Sequence, residues 1–258
     1  MIRPTVSLIV ATYNSEKTLH RCLQSVRQQT ESVQLIIVDN CSTDRTMAVA
    51  AEFAPQAVVC EKDRGVYDAW NKGIARASGS WIIFLGSDDY FKNANSIQRV
   101  VDDATSVDDS VGVIYGKVYV VDPDERVLRE DNGQIDNLYR ALSASMCFTH
   151  TGTLHRTRLF HELGLFNADL KIAGDFEFML RALKIYQARF CPNYEIMMAE
   201  GGLSNSWSAR RRLLREIMQA RSSANARWSV TGDLYIPAKR LFYEVAEAVT
   251  TRLKRLAQ

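Results

Sequence analysis

Two adjacent carboxylates, Asp88 and Asp89, follow directly on the apolar run Trp-Ile-Ile-Phe-Leu-Gly at 81–86. At the mouth of a sheet such a pair repels itself unless a positive charge lies beside it. A hard divalent cation with oxygen ligands, shared with phosphate oxygens, is the natural partner. The string Ser-Asp-Asp also reads as a helix cap, so the pair does not decide its role alone. Polar and acidic residues end three other apolar runs in the same way. They are Thr12-Tyr13-Asn14, Asp39-Asn40 and Asp63.

The elements that must position these residues alternate. Apolar, β-branched runs at 6–11, 35–38, 58–60 and 81–85 read as strands buried on both faces. Between them lie helical patterns. Leu19, Cys22, Leu23 and Val26 recur at helical spacing behind a cap at Asn14-Ser15, and a second helix behind Ser42-Thr43-Asp44 runs through Met47, Val49, Ala50 and Phe53. A third helix spans 66–77. Such alternation predicts a parallel α/β sheet, whose ligands bind beyond the carboxyl ends of the strands. Residues 111–121 read as a long strand or hairpin arm. Helices are expected at 135–142, at 156–163 ended by Gly164, at 173–186, and near 208–227 and 237–256.

With 258 residues, 47% of them hydrophobic, the chain holds one sizeable core, and no linker or internal repeat divides it. The net charge of +2 is unevenly spread: residues 207–258 carry eleven Lys/Arg against four Asp/Glu, leaving an acidic body. The five cysteines have no metal spacing and read as reduced, mostly buried thiols of a cytosolic protein. The first residues lack the apolar stretch and small-residue cleavage site of a signal peptide, so none is expected, and no stretch approaches the ~18 apolar residues needed to span a bilayer. A dehydrogenase is disfavoured because no G-x-G-x-x-G follows the first strand. The basic tail has no nucleic-acid-reading motif, so no nucleic acid is expected as a partner.

Several segments together resemble the family 2 glycosyltransferases: VSLIVATYN, IIVDNCSTDRT and EKDRGVYDAWNKGIARASGSWIIFLGSDD, then HTGTLHRTRLFHELGLFN and LKIAGDFEFMLRA. The resemblance covers about residues 5–205. It implies a glycosyltransferase-A fold, a Rossmann-like three-layer sandwich around a mixed central sheet, here followed by C-terminal helices. It also implies inverting transfer from a sugar nucleotide, a UDP-sugar or a GDP-sugar, with Mg²⁺ or Mn²⁺. On this resemblance the catalytic domain is 1–206, with a nucleotide-sugar half to about 110 and an acceptor half at 111–206. Residues 207–258 form a basic amphipathic extension.

Residue by residue, the resemblance places Thr12, Tyr13 and Asn14 in the loop lining the nucleotide base. Asp39 stands where a carboxylate bonds the base, and Asp63 lies beside the nucleoside. Asp88 and Asp89 match the Asp-x-Asp region that holds ribose and metal, with Gly86 where a first aspartate often stands. Which of the two is the direct ligand stays open. Asp175 matches the catalytic base of a Glu-Asp segment, with Gly174 in place of the glutamate. Capping the following helix is a compatible role, and Glu177 is the rival base. His150 is either an acceptor or phosphate contact or an ordinary structural histidine. His20 and His161 read as surface residues, and Trp70 and Trp81 as core.

Gly201-Gly202-Leu203-Ser204 resembles a family stretch that closes over the donor, or is a turn. Trp207 and Trp228 are candidates for an interface, with a homo-oligomer among the partners considered. The last helix, Leu241 to Leu256, carries an apolar stripe with basic ends. It suits peripheral contact with an anionic membrane, or packing on the catalytic domain. The expected acceptor is a sugar or a polyprenyl-diphosphate-linked glycan in surface polysaccharide synthesis. The expected location is the cytoplasm or the inner face of the cell membrane. A polyprenyl-phosphate sugar synthase and a catalytically silent nucleotide-sugar binder are the alternatives.

Overall fold

The computed structural model describes residues 5–144, 149–201 and 207–223. Four of its strands, β1 (Val6–Thr12), β2 (Gln34–Asp39), β3 (Ala57–Cys60) and β4 (Trp81–Gly86), pair in parallel in the order β3-β2-β1-β4. Alternate residues serve opposite faces, as the two-residue period of a strand requires. Leu8, Val10, Ile83 and Leu85 enter one core, and Ile9, Ile82 and Phe84 the other. Helices α1 (Leu19–Arg27) and α4 (Ser96–Ser106) cover the first face. The second is covered by α3 (Val66–Ile74), α6 (Arg158–Glu162), α7 (Gly174–Leu183) and α8 (Trp207–Ser223), giving three layers.

The sheet then becomes mixed. Strand β8 (Leu154–Arg156) lies antiparallel to β4 and to β6 (Val111–Val121), and β9 (Gln187–Ala199) runs parallel to β6. The two-residue β5 (Tyr90–Phe91) pairs with β9, and β7 (Val127–Asp131) forms a hairpin with β6. Two short helices, α2 (Thr46–Ala51) and α5 (Leu138–Ala144), complete the described elements.

Several expectations need correction. The helix expected at 156–163 forms as α6 over Arg158–Glu162 and starts late, because Arg156 closes β8. Its guanidinium donates to Val111 O and Asp108 O, and Thr157 Oγ1 donates to Gly79 O, which ties the end of β8 down before the helix begins. Strand β9 was not legible, since Pro192 interrupts its pattern and Pro demotes a strand reading. The helices expected at 66–77 and 173–186 end at Ile74 and Leu183, and the one expected from 135 starts at Leu138. Asn14-Ser15 is not the cap of α1, which begins at Leu19. Asp44 does hold the start of α2, accepting from Thr46 N at 2.9 Å. Of the described thiols, Cys22 and Cys191 are buried, but Cys60 is exposed and Cys41 half-buried.

No described helix is long and apolar enough to cross a membrane. The helix expected at 237–256, Trp228, Cys147 and residues 202–204 lie outside the described residues. Residues 207–223 pack into the main core, where Leu214, Ile217 and Ala220 are buried beside α7.

Candidate functional site

Parallel register brings the strand ends into one row: Thr12 opposite Asp39, Asp39 opposite Cys60, and Ala11 opposite Gly86. Asp39 is wholly buried, and its Oδ1 accepts from Thr12 Oγ1 at 2.8 Å and Ser42 Oγ at 2.6 Å. Its Oδ2 accepts from Ser42 N at 2.7 Å. Asp39 therefore builds the loop in this structure; both its oxygens are already engaged. Asn14 adopts φ +49°, a conformation Asn tolerates better than most residues, and its Oδ1 accepts from Thr43 N at 2.9 Å. Tyr13 between them is 60% exposed, free to lie against a flat ring. Asp63 caps the turn into α3 by accepting from Gly65 N at 2.8 Å, and partial burial raises its pKa. Thr12, Tyr13, Asn14, Asp39 and Asp63 thus share one edge, with Tyr13 and Asp63 its more accessible members.

The acidic pair follows β4 on the same edge. Asp89 is buried, with Thr151 Oγ1 donating to Oδ2 at 2.6 Å and Ala199 N to Oδ1 at 3.1 Å. Burial first, and then the charge of Asp88, push its pKa up to about 7. Asp88 is half-buried, and its carboxylate has no such anchor among the described residues. Gly86 explains how both fit. A Cβ there would stand 2.7 Å from Asp89 Oδ2 and 2.9 Å from Asp88 Oδ1, so both carboxylates fold over the bare Cα. Glycine at this position is what makes that space.

Among the described residues no three His, Cys, Asp or Glu side chains converge as a preformed metal cage. Two converging carboxylates, one of them buried and destabilised as an anion, nevertheless fit Mg²⁺ or Mn²⁺. Such ions take one or two carboxylates and complete their shell with water and substrate phosphates.

Asp175 lies in the first turn of α7, half-buried. Its Oδ1 accepts from the Tyr67 hydroxyl at 3.0 Å and from Phe176 N at 2.8 Å. Burial raises its pKa, which strengthens it as a base. The second departure from the family pattern also has a physical reason. A Cβ on Gly174 would meet the Tyr67 ring at 2.7 Å, so glycine lets this tyrosine reach Asp175. Asp175, Tyr67, Gly86, Asp89 and His150 line one cleft of ≈ 350 Å³.

His150 reaches that cleft but is nearly all buried. Its Nε2 is 3.2 Å from that of His155, and its ring stacks on Trp70 with centroids 5.3 Å apart. Burial lowers its pKa to about 3, so it is a neutral wall. Glu177 is turned elsewhere: its carboxylate is buried and held by Arg181 at 2.7 and 2.9 Å. His20 and His161 are exposed, and Trp81 is core. Trp70, expected in the core, is only partly buried and lines the cleft with Lys171 and Thr151. Nothing in the sequence alone marks those three or Tyr67 as site residues. Tyr67 and Trp70 stand in the quoted DRGVYDAW segment, but nothing local marks a tyrosine as the partner of a residue 108 positions away.

The model of the domain described as Glycosyl transferase family 2 matches residues 7–164. A PGL/p-HBAD biosynthesis glycosyltransferase of Mycobacterium bovis is 31% identical over 220 residues, covering 80% of this chain and 81% of that one. The mannosyltransferase PcManGT from Pyrobaculum calidifontis, solved in complex with GDP-Man and Mn²⁺, matches with a TM-score of 0.68 at 19% identity. That match covers 98% of this chain and 76% of the other. S. aureus TarS 1–349 in complex with UDP-GlcNAc matches at 0.62 and 20% identity, over 94% and 73%. At those identities the structures speak to the fold, which is the glycosyltransferase-A fold.

Proposed function

We propose, for a chain that belongs to glycosyl transferase family 2, that it moves a sugar from a nucleotide-sugar donor to an acceptor hydroxyl with inversion at the anomeric carbon. The observation that carries this reading is the meeting of Asp175 and Asp89 at one cleft, beyond the ends of the parallel strands, with Asp88 the neighbour of Asp89 in the chain. A hydroxyl is a poor nucleophile, and a positioned carboxylate that takes its proton is worth ~10²–10⁴-fold in rate. Asp175 Oδ1 is held by Tyr67 and by Phe176 N, so Oδ2 is the oxygen left to accept that proton. One base and one displacement, on the face opposite the leaving diphosphate, invert the sugar carbon. Tyr13 and Asp63 lie where they could meet the base and nucleoside. Mg²⁺ or Mn²⁺ held by Asp88 and Asp89 would supply charge to the departing diphosphate.

A UDP-sugar is the donor we favour and a GDP-sugar the alternative; related folds are solved with UDP-GlcNAc and with GDP-Man. The acceptor class we assign is a glycan or lipid-linked glycan, supported by a relative named for PGL/p-HBAD biosynthesis. Titration calorimetry with UDP and with GDP, each with and without Mn²⁺, tests the donor site. Binding that needs the metal and is lost in Asp88→Ala/Asp89→Ala is expected. Asp175→Asn should keep that binding while lowering donor turnover ~10²–10⁴-fold. Folded protein that binds neither nucleotide with metal would overturn the reading.

A further inference from the structure

Helix α8 reaches the candidate base through one buried side chain. Glu216 is only 7% exposed, and its carboxylate accepts from three successive backbone N–H groups. Oε2 accepts from Ile172 N at 2.8 Å and Ala173 N at 3.0 Å, and Lys171 N bonds Oε1 at 3.0 Å and Oε2 at 3.1 Å. These amides lie just ahead of α7, where unpaired N–H groups and the helix dipole favour a negative charge. The contact continues to Asp175. Ile172 N is held by Glu216, while Ile172 O accepts from the Tyr67 hydroxyl at 2.7 Å. That same hydroxyl lies 3.0 Å from Asp175 Oδ1. The neighbours of Glu216 on α8, Leu214 and Ile217, are buried in the core that α7 shares, so the carboxylate is held from behind.

We propose that Glu216 is a positioning residue for Asp175: it ties down the turn at 171–173, and with it the orientation of Tyr67 and the first turn of α7. The inference rests on reading Asp175 as the base. Asp175 is faced by Tyr67 from α3, Glu216 from α8 and Lys171 from its own loop, and it shares the cleft with Asp89, His150 and Arg129 of β7. The Lys171 ammonium is turned to Arg64 O and Ala168 O, and Arg129 pairs with Asp131. Arg221, farther along α8, lies over the Phe176 ring at 5.9 Å. Glu216 is therefore the anionic neighbour from the helical layer. Its charge adds to the burial that raises the Asp175 carboxyl.

The test uses the full chain, with Glu216→Gln and Glu216→Ala. Carbon-13 carboxyl NMR follows the titration of Asp175, and amide hydrogen exchange follows Lys171, Ile172 and Ala173. In both variants the Asp175 titration should move to lower pH, since one buried negative charge is gone. In Glu216→Ala the three amides should exchange about tenfold faster or more, the scale of losing a hydrogen bond to a charged group. Turnover should fall about 10- to 100-fold, as misplacement of a reacting group predicts, while binding of the nucleotide with Mn²⁺ is kept. If Glu216→Ala does not fold, Glu216→Gln, whose amide leaves one accepting oxygen for the three N–H groups, carries both the titration and the turnover. An unmoved Asp175 titration with unchanged turnover in Glu216→Gln overturns the positioning role. Full turnover in Asp175→Asn would instead sink the base reading while leaving the NMR result intact.

Discussion

At the scale of single residues, the site is organised by charges that burial makes uncomfortable. Asp89, pushed up to about 7, has a folded-state pKa above its unfolded value. Its contribution to stability is therefore present at low pH and is lost as pH rises toward about 7. In metal-free protein the melting temperature should fall over that window. Mn²⁺ should raise it most near and above pH 7, where the carboxylate is ionised. A melting temperature that ignores Mn²⁺ at every pH would argue against a cation at this pair. Gly174 offers a second test. A methyl at 2.7 Å from the Tyr67 ring must displace it, so Gly174→Ala should cost about 1–3 kcal/mol in chemical denaturation. It should also lower turnover more than nucleotide binding, since the ring carries the hydroxyl that holds Asp175.

At the scale of elements, the long parallel pair β6 and β9 extends the sheet beyond β8. Their register shifts between Tyr115 and Lys117, beside Gly116. A Cβ on Gly116 would stand 2.0 Å from Tyr194 O, a backbone atom that cannot swing aside. Gly116→Ala should therefore cost about 3 kcal/mol, the upper end of the overpacking range. Because β9 ends at Ala199, whose N–H holds Asp89, metal-dependent nucleotide binding should weaken as well. Denaturant melts and calorimetry on the variant check both. Unchanged stability would mean that the pair can open at this point without loss.

At the scale of the whole molecule, a boundary at 206 passes through a common core. Leu214, Ile217 and Ala220 of α8 pack against the layer that carries α7, and Glu216 holds the turn before it. A chain ending at residue 206 would lose two large core side chains, each worth about 2–5 kcal/mol, against typical net stabilities of about 5–15 kcal/mol. It should be unfolded, or fold without protection of the 171–173 amides. Circular dichroism and hydrogen exchange on the shortened chain decide this, and native behaviour would make 207–223 a true appendage.

What the amino-acid sequence determined by itself is the local and periodic part. Short apolar runs such as 81–86, bounded by turn residues, read as strands, and the polar residues that end them share one sheet edge when the strands are parallel. That reasoning brought out Thr12, Tyr13, Asn14, Asp39, Asp63 and the Asp88–Asp89 pair, and the family resemblance pointed to Asp175. Tertiary structure alone decided their states. Whether Asp39 is free or already engaged depends on Ser42 folding back onto it. Glu177 is withdrawn from the cleft because Arg181, one helical turn on, holds it within the core. Tyr67 and Glu216 became visible only when α3 and α8 met the start of α7. Contacts between residues far apart in the chain depend on packing, and no local pattern records them. The two glycines of the site show the same division. Gly86 and Gly174 read as losses in the sequence, and as the space that lets neighbouring side chains approach in the fold.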